Sequence, residues 1–164
     1  MRYRLATALA CLLAGSCASP VTSLAGGLCH AGETTHFSCP TATGKTISLC
    51  GSVPSALQYR YGRASRVELV FPQDASHGPL QLAYAHYTRY QVERTEVGFG
   101  RADVDYAVFD YIERGQRMAG VRVARSDGSE REVACAGDIQ GRLETLGKGL
   151  RCDPDNALND GGCR

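Results

Sequence analysis

Apolar and polar residues alternate in short period-two rows along most of this chain. The stretch Leu57 to Phe71, LQYRYGRASRVELVF, shows it best. Leu57, Tyr59 and Tyr61 flank the polar Gln58 and Arg60, and Val67, Leu69 and Phe71 form a second row. Gly62, Ala64 and Ser65 supply the bend. The pattern predicts a hairpin with one apolar face. Such a hairpin needs a second layer to cover that face.

The same pattern recurs on both sides. His36–Cys39 and Lys45–Cys50 read as short strands around the turn Pro40–Gly44, and Leu80–Phe99 is rich in Tyr, Val and Thr. Val104–Ile112 alternates and then shifts phase at Phe109, as a bulged strand would. Val121–Ala134 carries Asp127-Gly128 between its two arms, the signal of a tight hairpin turn. Pro72–Pro79, PQDASHGP, has no apolar period and reads as a surface loop. Only Ile139, Leu143, Leu146 and Leu150 recur at helical spacing, with Asp138 placed to cap the start. Gly141, Gly147 and Gly149 weaken that helix. Successive short strands without helical crossovers predict an all-β fold. The expectation is an antiparallel sandwich or open barrel of about eight strands with one short C-terminal helix.

The N-terminus has the form of an export signal over residues 1–25. Arg2 and Arg4 precede an apolar run from Leu5 to Gly15, too short to span a bilayer as a helix. Two endings compete. Ser23-Leu24-Ala25 fits ordinary cleavage, and Leu13-Ala14-Gly15-Ser16-Cys17 resembles a lipoprotein signal that would place a diacylglyceryl group on Cys17. Residues 26–164 then form a single β domain, in the periplasm or on the outer membrane. A lipid on Cys17 would be its one link to a membrane.

Six cysteines follow the leader: Cys29, Cys39, Cys50, Cys135, Cys152 and Cys163. An even number behind an export signal predicts disulfides, here clustered so that they staple the two ends of the domain. Their spacing leaves the pairing open. None forms a CxxC pair, so no structural metal is expected, and no other cofactor is implied. Lys and Arg total 18, two of them in the leader, against 17 Asp and Glu. A nearly neutral mature domain argues against nucleic acid as a partner.

Sites of chemistry are sparse. Gly44-Lys45-Thr46 ends like a phosphate-binding loop, but the required earlier glycine is replaced by Cys39, so it reads as a strand start. His77 lies in the Pro/Gly loop and His86 among tyrosines, and no Gly-x-Ser-x-Gly elbow accompanies them. Asp103 and Asp105 share one side of a strand, and with His86 they are the residues a hydrolase of cell-wall or other glycans would use. The acidic tail after Asp153 breaks the EF-hand pattern and reads as a loop with Asx turns. Arg and Tyr are interleaved in two places, Tyr59-Arg60-Tyr61 and Tyr87 with Arg89 and Tyr90. These types dominate binding hot spots, so the six are the candidate binding residues for an envelope protein or a cell-wall glycan. No catalytic residue is assigned, and a non-catalytic binding module is the leading expectation.

The run FSCP…GKTISLC…LQYRYG…VELVFP, followed by YAHYTRYQVERTEVGF, VDYAVFDYIE and CDPDNAL, resembles a group of short exported proteins of Gram-negative bacteria. The resemblance extends from Cys29 to Cys163. It implies a single exported domain and gives no residue a role. The chain is similar in class to the periplasmic and lipoprotein inhibitors of lysozymes, which are small, exported, disulfide-stapled β proteins. It lacks the Ser-Gly-x-x-Tyr segment that inhibitors of C-type lysozyme insert into the enzyme, so this likeness covers fold and compartment only.

Overall fold

The computed structural model describes residues 27–159 and 162–163, and the leader with Cys17 lies outside them. The described chain is a sandwich of two sheets. The long strands are β1 (Thr34–Pro40), β2 (Thr46–Ser52), β3 (Ala56–Arg63), β4 (Arg66–Phe71), β5 (Ala83–Arg89), β6 (Val92–Arg101), β7 (Val104–Glu113), β8 (Gln116–Arg125) and β9 (Glu130–Ala134). Two short ones, β10 (Gln140–Gly141) and β11 (Arg151–Cys152), complete the sheets. The first sheet runs β10-β1-β2-β3-β4 and the second β11-β5-β6-β7-β8-β9. All pairings are antiparallel except that of β11 with β5. The all-β fold is therefore present, as a sandwich and not a closed barrel.

The period-two rows become the core. Phe37, Ile47, Leu49, Leu57 and Tyr59 from the first sheet meet Val97, Phe99, Val108 and Val121 from the second. Phe99 stacks between Phe71 and Tyr106, at centroid distances of 4.4 and 4.8 Å. Burying these side chains supplies the driving force that neither sheet has alone.

Three details depart from the sequence pattern. The segment from Ile139 to Leu150 does bring Leu143, Leu146 and Leu150 into the core, but Leu143–Leu146 is a single 3₁₀ turn and Leu150 follows it after a turn. Gly141, at φ 71°, starts the segment in a conformation that no α-helix accepts. The one short α-helix among the described residues, α1 (Gly78–Gln81), begins within the expected surface loop Pro72–Pro79 and not near the C-terminus. Its Gly78 is buried so closely on β3 that a Cβ would sit 1.9 Å from the Leu57 carbonyl oxygen. Lastly, β8 starts at Gln116 rather than Val121, after a two-residue turn with Arg114 at φ 49° and Gly115 at φ 81°. Both central residues at positive φ match the twist of a β-hairpin.

The disulfides pair Cys29 with Cys50, Cys39 with Cys135, and Cys152 with Cys163. The first holds the N-terminal segment on the outer face of β2. The second joins the two sheets beside the bridge between Thr41 and Cys135. The third closes the C-terminal loop over β5. Three bridges fit an oxidising compartment. No helix among the described residues is long and apolar enough to cross a membrane.

Candidate functional site

Most charged side chains near the core are committed to the fold. Arg60 was expected on a binding face, but it is 5% exposed. Its guanidinium donates to the Leu28 carbonyl, to Gln58 Oε1 and to both carboxylate oxygens of Glu33. This pins segment 27–33 onto the outer face of the first sheet and holds the Glu33 carboxyl below its usual range. Asp110, 3% exposed, takes two hydrogen bonds from Arg117 and one from the Leu143 amide. Arg117 also donates to the Gly141 carbonyl, so the pair clasps the segment that carries the 3₁₀ turn.

A third network lies on the outer face of the second sheet. Glu96 is 4% exposed and accepts hydrogen bonds from the Tyr111 hydroxyl, Arg122 and Asn156 Nδ2. Burial, then the bond to Glu96, pushes the Tyr111 hydroxyl up to about 12. Asn156 comes from the C-terminal loop, whose Asx turns at Asp153 and Asn156 are as the sequence suggests. Asn159 fixes the same loop to β5 by accepting from the His86 amide and donating to the Tyr84 carbonyl.

The six Tyr/Arg candidates do not form one surface. Tyr59 is core, 1% exposed and 5.1 Å from Phe99, and burial raises its pKa. Tyr59 and Arg60 point to opposite faces of β3, so neither presents a face to solvent. Tyr61 is half-buried at the end of the same strand. Tyr87 is half-buried and Arg89 exposed on β5, and Tyr90 is 88% exposed at the hairpin tip that follows. The two groups belong to different sheets.

The residues a hydrolase would use are also separated. Pairing sets His86 opposite Thr95, in phase with the core residue Val97, and its Nδ1 lies 3.0 Å from Thr95 Oγ1. Asp105 pairs with Gly100, in phase with Glu96 and on the other face of the sheet. Asp103 is in the β6–β7 turn. His77 ends a 3₁₀ turn and is exposed.

Several concavities lie among the described residues, one of about 420 Å³ beside His86 and Tyr87, and two others bear most on function. One, of about 300 Å³, crosses the outer face of the second sheet. Its floor is the row Ala83, Gly98 and Ala107, paired across three strands, with Gly100 and Ala124 alongside. Asp105, Asp153 and Arg151 stand at its edges.

The other, of about 610 Å³, opens at the mouth of the sandwich, between the β1–β2 turn and strand β9. Tyr61, Val123 and Val133, three core-facing residues that nothing fully covers, form its apolar floor. Lys45 lies over the Tyr61 ring, 5.2 Å from its centroid, and pairs with Glu68 at 2.7 Å. Arg131 pairs with Val123 across the β8–β9 ladder, so it shares the inner face, and Arg125 follows Val123 in the same phase. Among the described residues neither Arg125 nor Arg131 has an ion-pair partner. Glu130 and Glu132 alternate to the opposite phase, against Ala124 and Arg122, and both also line the concavity.

Of this site, only Tyr61 was a sequence candidate. The signal for the rest is phase. Arg125 and Arg131 flank the Asp127-Gly128 turn in register with Val123 and Val133, and an arginine on the apolar face at a strand end marks an open mouth.

The chain is thus a disulfide-stapled two-sheet sandwich with an unfilled apolar mouth. Compared with protein-family models, curated proteins and solved structures, it matches none of them.

Proposed function

We propose that this protein is an exported, non-catalytic binding module that takes its ligand at the mouth of the sandwich. One observation carries the reading. At the mouth, an uncovered apolar floor of Tyr61, Val123 and Val133 coincides with two inner-face arginines, Arg125 and Arg131, that form no ion pair among the described residues, whereas Arg60, Glu96 and Asp110 are all paired. An apolar concavity with a few convergent polar groups is the usual form of a ligand site. The separate positions of His86, Asp103 and Asp105 support a non-catalytic reading over a hydrolase built on those three residues. The three disulfides and the leader pattern support an exported location, in the periplasm or anchored through Cys17. The test is amide-resolved NMR of the oxidised protein, titrated with a library of small apolar and amphiphilic fragments. Shifts centred on Tyr61, Val123 and Val133 are expected. Binders that map only elsewhere would overturn the assignment.

A second reading is favoured by the glycine floor of the outer-face concavity. Gly98 and Gly100 let a ligand approach the backbone of β6. Asp105, Asp153 and Arg151 then offer hydrogen-bonding groups suited to a glycan. Titration with soluble peptidoglycan fragments, read at the Gly98 and Gly100 amides, separates this reading from the first.

A further inference from the structure

The composition of the mouth specifies a ligand class more narrowly than apolar. We infer that it takes a single-chain amphiphilic carboxylate, with the chain against Tyr61, Val123 and Val133 and the head group between Arg125 and Arg131. This inference rests on the mouth being the binding site.

Three features argue for it. The floor is aromatic and branched aliphatic, so it rewards a hydrocarbon segment. Arg125 and Arg131 lie on the inner face where the floor ends, while Lys45 pairs with Glu68; Glu130 and Glu132 line the same concavity from the opposite phase of β9, and Asp127 in the turn interacts with Arg125. Arginine is the side chain best shaped to hold a carboxylate through two parallel bonds. The opposite polarity, a cationic head on an apolar tail, would meet the two arginines that share the inner face. A volume of about 610 Å³ has room for a medium-length chain without displacing the packed core behind it.

The experiment is isothermal titration of the oxidised protein with three ligands of equal chain length, each below its micelle concentration: decanoate, decanol and decyltrimethylammonium. Decanoate is expected to bind tightest and decyltrimethylammonium weakest. The double variant R125S/R131S should weaken decanoate at least tenfold and leave decanol unchanged. Raising the salt concentration should narrow the gap between the two in the parent protein. Both arginines are exposed, so the double variant keeps its fold, which the unfolding midpoint checks. Equal binding of decanoate and decanol would overturn the carboxylate inference and keep the mouth as the site. No binding of any of the three would overturn both.

Discussion

The guanidinium of Arg60 grips the carboxylate of Glu33 through both terminal nitrogens, at 2.5 and 2.7 Å, on the outer face of β3. Tyr59, one residue earlier, faces the core. Tyr59-Arg60 is thus a unit of folding, with one side chain closing the sandwich and the other holding the N-terminal segment. Replacing Arg60 by Ala strands the Leu28 carbonyl and Gln58 Oε1 and frees a half-screened Glu33. The expected loss is about 3 kcal/mol, read as a lower urea midpoint, and fragment binding at the mouth should be unaffected. Glu33→Gln should cost less, because Arg60 keeps Leu28 and Gln58 as partners.

The disulfides should differ in weight. Cys39–Cys135 spans 96 residues and links the sheets, Cys29–Cys50 spans 21, and Cys152–Cys163 spans 11. Loop-closure entropy alone ranks them at about 4.7, 3.3 and 2.8 kcal/mol. Paired Cys→Ala variants should lose stability in that order in equilibrium unfolding. Removing Cys152–Cys163 should leave the near-UV signal of the core aromatics intact, since the loop it closes lies on the outer face.

Much of the fold was legible because strands of one sandwich carry their burial in a period of two. Leu57, Tyr59, Val97, Val108 and Val121 all fall on the core face that alternation gives them. The turn Arg114-Gly115 was missed because no apolar row runs cleanly from Gln116 to Gly120. The segment after Ile139 misled because Leu143 and Leu146 reach the core from a 3₁₀ turn, and their spacing alone does not distinguish that from a helix. The Tyr/Arg candidates failed for a related reason. Residue type marks hot spots, but adjacent residues on a strand face opposite ways, so Tyr59, Arg60 and Tyr61 never share a surface. Reading phase rather than type would have singled out Arg125 and Arg131.

Two glycines on the outer face of the second sheet should respond oppositely to alanine. A Cβ on Gly120 would meet the Val133 carbonyl oxygen at 2.5 Å and the Phe109 ring at 2.9 Å, so Gly120→Ala must push β8 from β9. A Cβ on Gly98 meets nothing nearer than 3.6 Å, and its φ is not positive. Gly98→Ala should therefore leave the thermal midpoint unchanged or raise it, with a gain of up to about 1 kcal/mol from the less flexible unfolded chain. Gly120→Ala should lower it by about 1–3 kcal/mol. A neutral Gly98→Ala that lost glycan binding would favour the outer-face concavity, because folding would then give no reason for the glycine.

His36 should set the acid limb of stability above the range of the carboxylates. Burial pushes its pKa below the ordinary 6.5, against a smaller opposing effect from the Gly51 backbone, and its Nε2 is buried with no partner. The unfolded chain binds a proton there near pH 6.5, whereas the folded chain resists until the pH is lower. Between those two values the unfolded state holds more protons, so stability is full above about pH 6.5 and falls as the pH drops. Glu33 contributes in the same direction but lower, since Arg60 holds it below its ordinary 4.5 and its share is lost only as the pH falls beneath that value. Urea midpoints measured from pH 8 to pH 3 should show two descents. The variant His36→Gln should flatten the first and leave the second, and E33Q should do the reverse. A single descent below pH 4.5 in the parent protein would mean that the His36 ring titrates freely in the folded state.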